Sequence, residues 1–100
     1  MKEVIGTVKD NQIVIALVGR VDSNNAREVE AEIANVMSGN DDLPVVIDAE
    51  GLQYISSAGL RVLLHLKKTT GDLKIVGVNS DVYEILDMTG FTQKIGRAHV

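Results

Sequence analysis

The chain has 100 residues, 45% of them hydrophobic and 24% charged, and it carries a formal net charge of -4. That composition is typical of one globular domain and excludes disordered, collagen-like and coiled-coil proteins. The acidic balance and an aromatic content of 3% argue against direct nucleic-acid binding, and the lack of a long apolar run or a signal peptide predicts a cytoplasmic protein without membrane insertion.

The first predicted elements are a β-hairpin and a helix. Two runs rich in β-branched residues, 4–8 and 13–18, flank Asp10-Asn11, and these two residue types tolerate the left-handed backbone of a short turn. An amphipathic helix is predicted over residues 23–37, because apolar residues recur there at three-four spacing while charged residues occupy the other side.

The rest of the chain alternates strands and helices. Short apolar runs at residues 45–47 and 73–78 suit strands buried on both faces, and a helical pattern lies between them at 57–70. Strand, helix and strand in this order predict a right-handed parallel crossover. A shorter helix is predicted at residues 82–88.

The sum is one α/β domain with a mixed sheet, in the order β-β-α-β-α-β-α. Polar residues are expected to begin the helices and glycines to end them. The predicted first residues or caps are Asp22 or Ser23, Ser56 or Ser57, and Asp81, and the predicted stops are Gly39, Gly71 and Gly90.

The last seven residues, 94–100, are predicted to be non-native. Lys94-Ile95-Gly96-Arg97-Ala98-His99-Val100 resembles the translation of a common sequencing-adapter read in one frame. Residues 1–93 are therefore taken as the domain, truncated at its carboxyl end, and His99 is given no functional weight. A native tail beyond the last element is the alternative.

Enzymatic motifs are absent from the sequence. It has neither a phosphate-binding glycine-rich motif nor the histidine and cysteine clusters of metal sites, so no cofactor and no catalytic activity are expected. His65 falls inside the second helix, where its spacing favours a packed or rim position over a catalytic base. Asp48-Ala49-Glu50 follows a buried strand and is interpreted as a solvated strand end, with phosphoryl transfer through Asp48 as an alternative.

The most informative segment is the predicted loop-to-helix junction at residues 51–64. It places two adjacent hydroxyl groups, those of Ser56 and Ser57, where a helix begins, and one of them is expected to cap the helix. Gly59 follows at once, although glycine inside a helix costs roughly 1 kcal/mol relative to alanine. Close approach of another backbone or of a partner surface would explain that glycine.

At this junction the sequence resembles the STAS-domain family, and specifically the bacterial anti-sigma factor antagonists. Their motif runs aromatic, hydrophobic, Asp, Ser, Ser/Thr, Gly, Leu, and Tyr54-Ile55-Ser56-Ser57-Ala58-Gly59-Leu60 aligns with it. The resemblance extends to Gly19-Arg20-Val21-Asp22 and Met88-Thr89-Gly90-Phe91, and so covers nearly all of residues 1–93.

The resemblance implies a STAS-like fold and a regulatory role. In the family an ATP-dependent anti-sigma factor serine kinase phosphorylates the first serine after the motif aspartate, and a metal-dependent serine phosphatase reverses the modification. That acceptor corresponds to Ser57. The expected partner-binding residues are Asp22, Ser56, Ser57, Gly59 and Leu60. The apolar anchor of such an interface is expected to be Leu60 or a neighbour.

Two departures from the motif affect this implication. Ser56 stands where the family usually has aspartate, which removes a negative charge beside the acceptor and allows Ser56 to compete with Ser57. Ala58 stands where the family often has serine or threonine. Asp22 matches the family's aspartate after the second strand, although a helix cap is an equally good interpretation of that residue.

The leading hypothesis is a binding module under phosphorylation control. Unphosphorylated, it would bind an anti-sigma serine kinase and free a sigma factor, and a phosphate on Ser57 would add about 1.5 to 2 negative charges and switch binding off. The first alternative is a STAS subunit that regulates a membrane transporter, with Ser57 merely a helix cap. The second is a small phosphoryl-transfer enzyme that uses Asp48.

Overall fold

The computed structural model describes residues 4–40, 42–70, 73–87 and 95–97. The elements are β1 (Val4–Lys9), β2 (Gln12–Val21), α1 (Ala26–Met37), β3 (Val45–Ile55), α2 (Ser57–Thr69), β4 (Leu73–Val78), α3 (Ser80–Asp87) and β5 (Ile95–Arg97). The predicted order β-β-α-β-α-β-α is confirmed, and the short strand β5 follows it. Strand β5 falls inside the segment predicted to be non-native, and that prediction stays untested.

All five strands form one sheet in the order β1-β2-β3-β4-β5. Strands β1 and β2 are antiparallel, and every later neighbour is parallel. The hairpin turn contains Asp10 and Asn11 with φ of 54° and 61°, the pair of left-handed residues that a two-residue hairpin turn requires. The mixed sheet predicted from the sequence is therefore confirmed.

The hydrophobic core lies between the sheet and the helices. Along β2 the side chains of Ile13, Ile15 and Leu17 are buried, while the alternate residues between them are half-buried. Helices α1 and α2 cover the buried row with Val29, Ile33, Val62, Leu63 and Leu66. Each parallel connection leads to the next strand in the same direction across the sheet. Because parallel connections of this kind are right-handed, the helices that they contain lie on one face of the sheet.

The start of α1 differs from the prediction. The helix begins at Ala26, and its N-cap residue Asn25 makes no side-chain cap hydrogen bond. Asp22 and Ser23 are therefore not caps. The Asp22 carboxylate Oδ1 instead accepts a hydrogen bond from the Asn24 amide at 2.9 Å, which makes a local turn before the helix.

Two other boundaries also differ. Helix α3 begins at Ser80 rather than at residue 82, and Asn79 rather than the predicted Asp81 precedes it, with Asn79 Oδ1 accepting a hydrogen bond from the Val82 amide at 2.8 Å. Strand β3 does not stop at residue 47 but continues to Ile55, because its pairing with β2 resumes at Gly51 after a shift in register and runs to the end of the strand. The predicted stops Gly71 and Gly90 lie outside the described residues.

Candidate functional site

A single residue, Ser56, connects β3 to α2. Its backbone is extended, with φ of -92° and ψ of 178°, and its amide donates a hydrogen bond to the Val21 carbonyl oxygen at 2.9 Å. That bond ties the junction to the last residue of β2. The carboxyl ends of two neighbouring parallel strands therefore hold the start of α2 in place.

Ser56 is the N-cap of α2. Its Oγ accepts a hydrogen bond from the Gly59 amide at 3.4 Å, and its backbone carbonyl accepts one from Leu60 at 2.8 Å. One of the free amides at the helix start is thereby satisfied. Of the two serines that the sequence offered as caps, the structure assigns the role to Ser56.

Ser57 is the first residue of α2, and its environment differs from that of its neighbour. Its side chain is exposed and makes no hydrogen bond among the described residues, whereas Ser56 is half-buried and engaged. The first turn of α2 contains no acidic residue. A hydroxyl at this place is open to a modifying enzyme, and the helix amides beside it favour added negative charge.

Gly59 is buried beneath the junction. A Cβ there would lie 2.6 Å from Ile55 Cγ1, 2.9 Å from Val21 Cγ1 and 3.0 Å from the Val21 carbonyl oxygen. Of the two explanations that the sequence suggested, close approach of another backbone is the one observed. Gly59 thus allows the start of α2 to pack directly against the ends of β2 and β3. Gly59 itself lies below the exposed surface of the junction.

Asp22 lies in the loop after β2, in a network of its own. Its Oδ2 is 3.7 Å from Arg20 Nε, and the Arg20 guanidinium carbon lies 4.5 Å from the centre of the Tyr54 ring. Asn25 Oδ1 accepts from the Asp22 amide at 2.9 Å, and Asn25 Nδ2 donates to the Arg20 carbonyl at 2.8 Å. These contacts join the ends of β2 and β3 beside Ser56.

The five residues expected from the sequence therefore lie at the surface and in the interior of the same junction. Asp22, Ser56 and Ser57 reach its surface, Leu60 is half-buried against the core, and Gly59 lies inside. Sequence reasoning missed Arg20, Tyr54 and Asn25, which hold the loop in shape. The run at residues 19–22 and the aromatic position of the motif were the available signals for the first two.

Asp48 is not at a strand end. It lies within β3 and pairs with Ala16 of β2 and Val76 of β4, and its Oδ1 accepts a hydrogen bond from the Glu50 amide at 3.1 Å. Its neighbour Ala49 is fully buried, so alternation along the strand turns Asp48 away from the helices. The prediction that Asp48-Ala49-Glu50 ends a strand is therefore wrong, although Asp48 is half-buried and Glu50 is exposed to solvent.

His65 lies on the exposed surface of α2, at the rim position that its spacing suggested. Its Nδ1 is 2.8 Å from Glu30 Oε2 of α1. Among the described residues, no group of three or more His, Asp or Glu side chains could hold a metal ion. Within the same residues, no helix is long and apolar enough to cross a membrane.

A family model and a curated relative identify the family of this chain. A family model described as STAS domain matches residues 3–100. The chain is 37% identical over 86 residues to BtrV of Bordetella bronchiseptica, named as an anti-sigma factor antagonist, with 82% of this chain and 73% of BtrV covered.

Two solved structures share the fold. An anti-sigma factor antagonist from Mycobacterium paratuberculosis superposes with a TM-score of 0.81 at 21% identity, covering 93% of this chain and 83% of that chain. The Bacillus cell fate determinant SpoIIAA, in its phosphorylated form, superposes with a TM-score of 0.73 at 15% identity, covering 94% of this chain and 89% of that chain.

Proposed function

This chain belongs to the STAS-domain family of anti-sigma factor antagonists, and from that membership we propose that it is a binding module controlled by phosphorylation of Ser57. Unphosphorylated, it binds an anti-sigma factor serine kinase and so frees a sigma factor. Phosphorylated, it releases the kinase, and a metal-dependent serine phosphatase restores the binding form. The protein acts in the cytoplasm as a substrate rather than as a catalyst.

The contrast between the two adjacent serines carries the proposal. Ser56 Oγ is occupied by the Gly59 amide, while the exposed Ser57 side chain has no hydrogen bond among the described residues. A kinase can reach the Ser57 hydroxyl without breaking a helix cap. Ser56 therefore has the structural role, and the exposed hydroxyl of Ser57 supports its assignment as the phosphate acceptor.

The physical basis of the switch is local charge. A phosphate on Ser57 adds about 1.5 to 2 negative charges and three acceptor oxygens at the start of a helix, where free amides favour an anion. The fold tolerates the modification. A partner seated on the junction must instead desolvate or repel that charge, and a loss of about 2.7 kcal/mol would weaken binding a hundredfold.

The proposed partner surface is the exposed part of the junction. Asp22, Ser56 and Ser57 lie at its surface, and Leu60 offers a partly exposed apolar side chain beside them. Gly59 contributes from beneath, because it holds the start of α2 against β2 and β3. The Arg20 and Tyr54 pair stiffens the edge of this surface.

Phosphate incorporation tests the assignment most simply. The protein is incubated with a purified anti-sigma serine kinase and ATP, and its intact mass is measured. We expect one phosphate on the wild type and on Ser56→Ala, and none on Ser57→Ala, which should still bind the kinase. Ser23→Ala is a matched control, because Ser23 is also exposed but lies in a turn ahead of α1.

Full labelling of Ser57→Ala would contradict the assignment. An unlabelled wild type would contradict the proposed function and is the result expected of a subunit that regulates a transporter.

A further inference from the structure

A groove runs between α1 and α2 and opens next to the junction. Its part nearest the junction has a volume of about 590 Å³ and is bounded on one side by Ala26 and Arg27 and on the other by Ala58 and Arg61. Ser57 lies one helical turn from Arg61, so both side chains point to the same side of α2. The acceptor hydroxyl therefore stands at the rim of this groove.

This end of the groove is positively charged in an otherwise acidic protein. Arg27 and Arg61 line it beside the junction, Lys68 lines the same pocket from the last turn of α2, and all three are exposed and form no ion pair among the described residues. Glu30 is the acidic side chain that lines the same part, and it already contacts His65 at 2.8 Å. Within the described part of the chain, three cations without an ion-pair partner therefore face the solvent, in a protein of net charge -4.

The far end of the groove is apolar. A second pocket of about 310 Å³ lies there, bounded by Ile33, Ala34 and Met37 of α1 and by Leu66 of α2. The two pockets share Glu30, Val62 and His65, and the contact between Glu30 and His65 crosses from α1 to α2 where the pockets meet. Charge at one end and apolar surface at the other define the chemistry of a complementary segment.

We propose that the α1–α2 groove receives a helical segment of the anti-sigma kinase, with acidic side chains near Ser57 and apolar side chains near Met37. This inference rests on the proposed function, because it names the chemistry of the partner at the same site. The groove follows the 12 residues of α1, a length of about 18 Å. A helix suits this site, since it satisfies its own backbone and lays one amphipathic face between two others.

The groove also explains how a modification at its rim controls binding along its length. A phosphate on Ser57 lies one turn from Arg61 and pairs with that guanidinium, so the cation is no longer available to the partner. The same phosphate repels acidic side chains that enter the charged end. Both effects weaken the same contact, and neither requires the fold to change.

A synthetic helix tests the groove without the kinase. The probe is a helix-stabilised peptide of about 14 residues, or four turns, with glutamates in its first half and leucines on one face of its second half. Its binding is measured by fluorescence anisotropy and mapped by amide chemical shifts. We expect shifts in Ala34, Ala58 and Arg61, and no binding of a control peptide in which lysines replace the glutamates.

Charge-reversal variants sharpen the test. Arg27→Glu and Arg61→Glu should each weaken binding of the glutamate peptide about tenfold or more. Lys74→Glu makes the same change of charge on the exposed side of β4, away from the groove, and should stay within about twofold of wild type. Ser57→Asp should weaken binding of the glutamate peptide by a factor similar to that of the two arginine reversals.

Three results would overturn the inference: equal binding of the lysine peptide, equal losses in Lys74→Glu and Arg61→Glu, or chemical shifts outside the groove. Displacement of the peptide by micromolar inorganic pyrophosphate would identify a small-anion site instead. The mass measurement on Ser57 does not use the peptide. A groove that fails while Ser57 is labelled leaves the proposed function standing. A groove that binds while the wild type is unlabelled contradicts the proposed function and, with it, the assignment of the kinase as the occupant.

Discussion

The two loops that lead into α1 and α2 begin with similar polar residues and use them differently. Before α1, residues 22–25 form a turn in which Asp22 and Asn25 bond to the loop itself. Before α2, one residue makes the whole connection, Ser56 caps the helix, and the Ser57 side chain has no such bond to any residue that the structure describes. The first loop is held in shape by its own hydrogen bonds. The second leaves the Ser57 hydroxyl available for chemical modification.

That difference separates stability from switching. Hydrogen bonds in the α1 loop should matter mainly for the free energy of unfolding. The Ser57 hydroxyl should matter for labelling and little for stability. Variants in the two loops can therefore break or sharpen the comparison.

The largest effect on stability is expected from Gly59→Ala. The new Cβ would lie 3.0 Å or less from Ile55, Val21 and the Val21 carbonyl oxygen, so α2 must shift off the strand ends. Overpacking of this kind destabilises by about 1–3 kcal/mol, and contact with backbone favours the upper part of that range. Urea unfolding measures it, and Ser57→Ala in the same helical turn should change stability by less than about 0.5 kcal/mol. Equal stability of the two variants would show that the junction is not tightly packed.

A smaller effect is expected from removing polar side chains at the two helix starts. Asn25→Ala removes two hydrogen bonds of 2.9 Å and 2.8 Å from the α1 loop, at a cost of about 1–2 kcal/mol. Ser56→Ala removes one cap bond of 3.4 Å and should cost less than about 1 kcal/mol. Thermal and urea unfolding of the two variants compare them directly. If Ser56→Ala proved the more damaging, the division of labour between the loops would be wrong.

The smallest effect on stability is expected from the contact between Arg20 and Tyr54, which joins the ends of β2 and β3. The Arg20 guanidinium carbon lies 4.5 Å from the centre of the Tyr54 ring, and an exposed contact of this type contributes about 0.5–1 kcal/mol. A double-mutant cycle with Arg20→Ala and Tyr54→Leu should give a coupling free energy in that range. A coupling of zero would mean that the two strand ends are not linked through these side chains.

Much of the fold could be predicted because it follows local patterns. Asp10-Asn11 predicted the hairpin turn, and strand β4 follows its apolar run from Leu73 to Val78. The extension of β3 could not be predicted, because residues 48–51 are poor strand formers, and the strand continues through them by pairing Asp48 and Gly51 with β2 on either side of a shift in register. The start of α1 was ambiguous, since an aspartate can either cap a helix or close a turn.

The candidate site was predicted only in part for the same reason. The motif located Ser56 and Ser57, but the choice of cap depends on the Ser56 amide meeting the end of β2, which is distant in sequence. Arg20 and Tyr54 come from different strands, and the α1–α2 groove exists only after both helices dock on the sheet. Such features arise from tertiary packing and leave no local pattern.

The central claim concerns one hydroxyl, that of Ser57. The most direct measurement is the dissociation constant of the cognate anti-sigma kinase for this protein before and after stoichiometric phosphorylation of Ser57, by calorimetry at fixed ionic strength. We expect the phosphorylated form to bind about a hundredfold more weakly or worse, with an unchanged circular dichroism spectrum. Equal dissociation constants for the two forms would contradict the proposed switch.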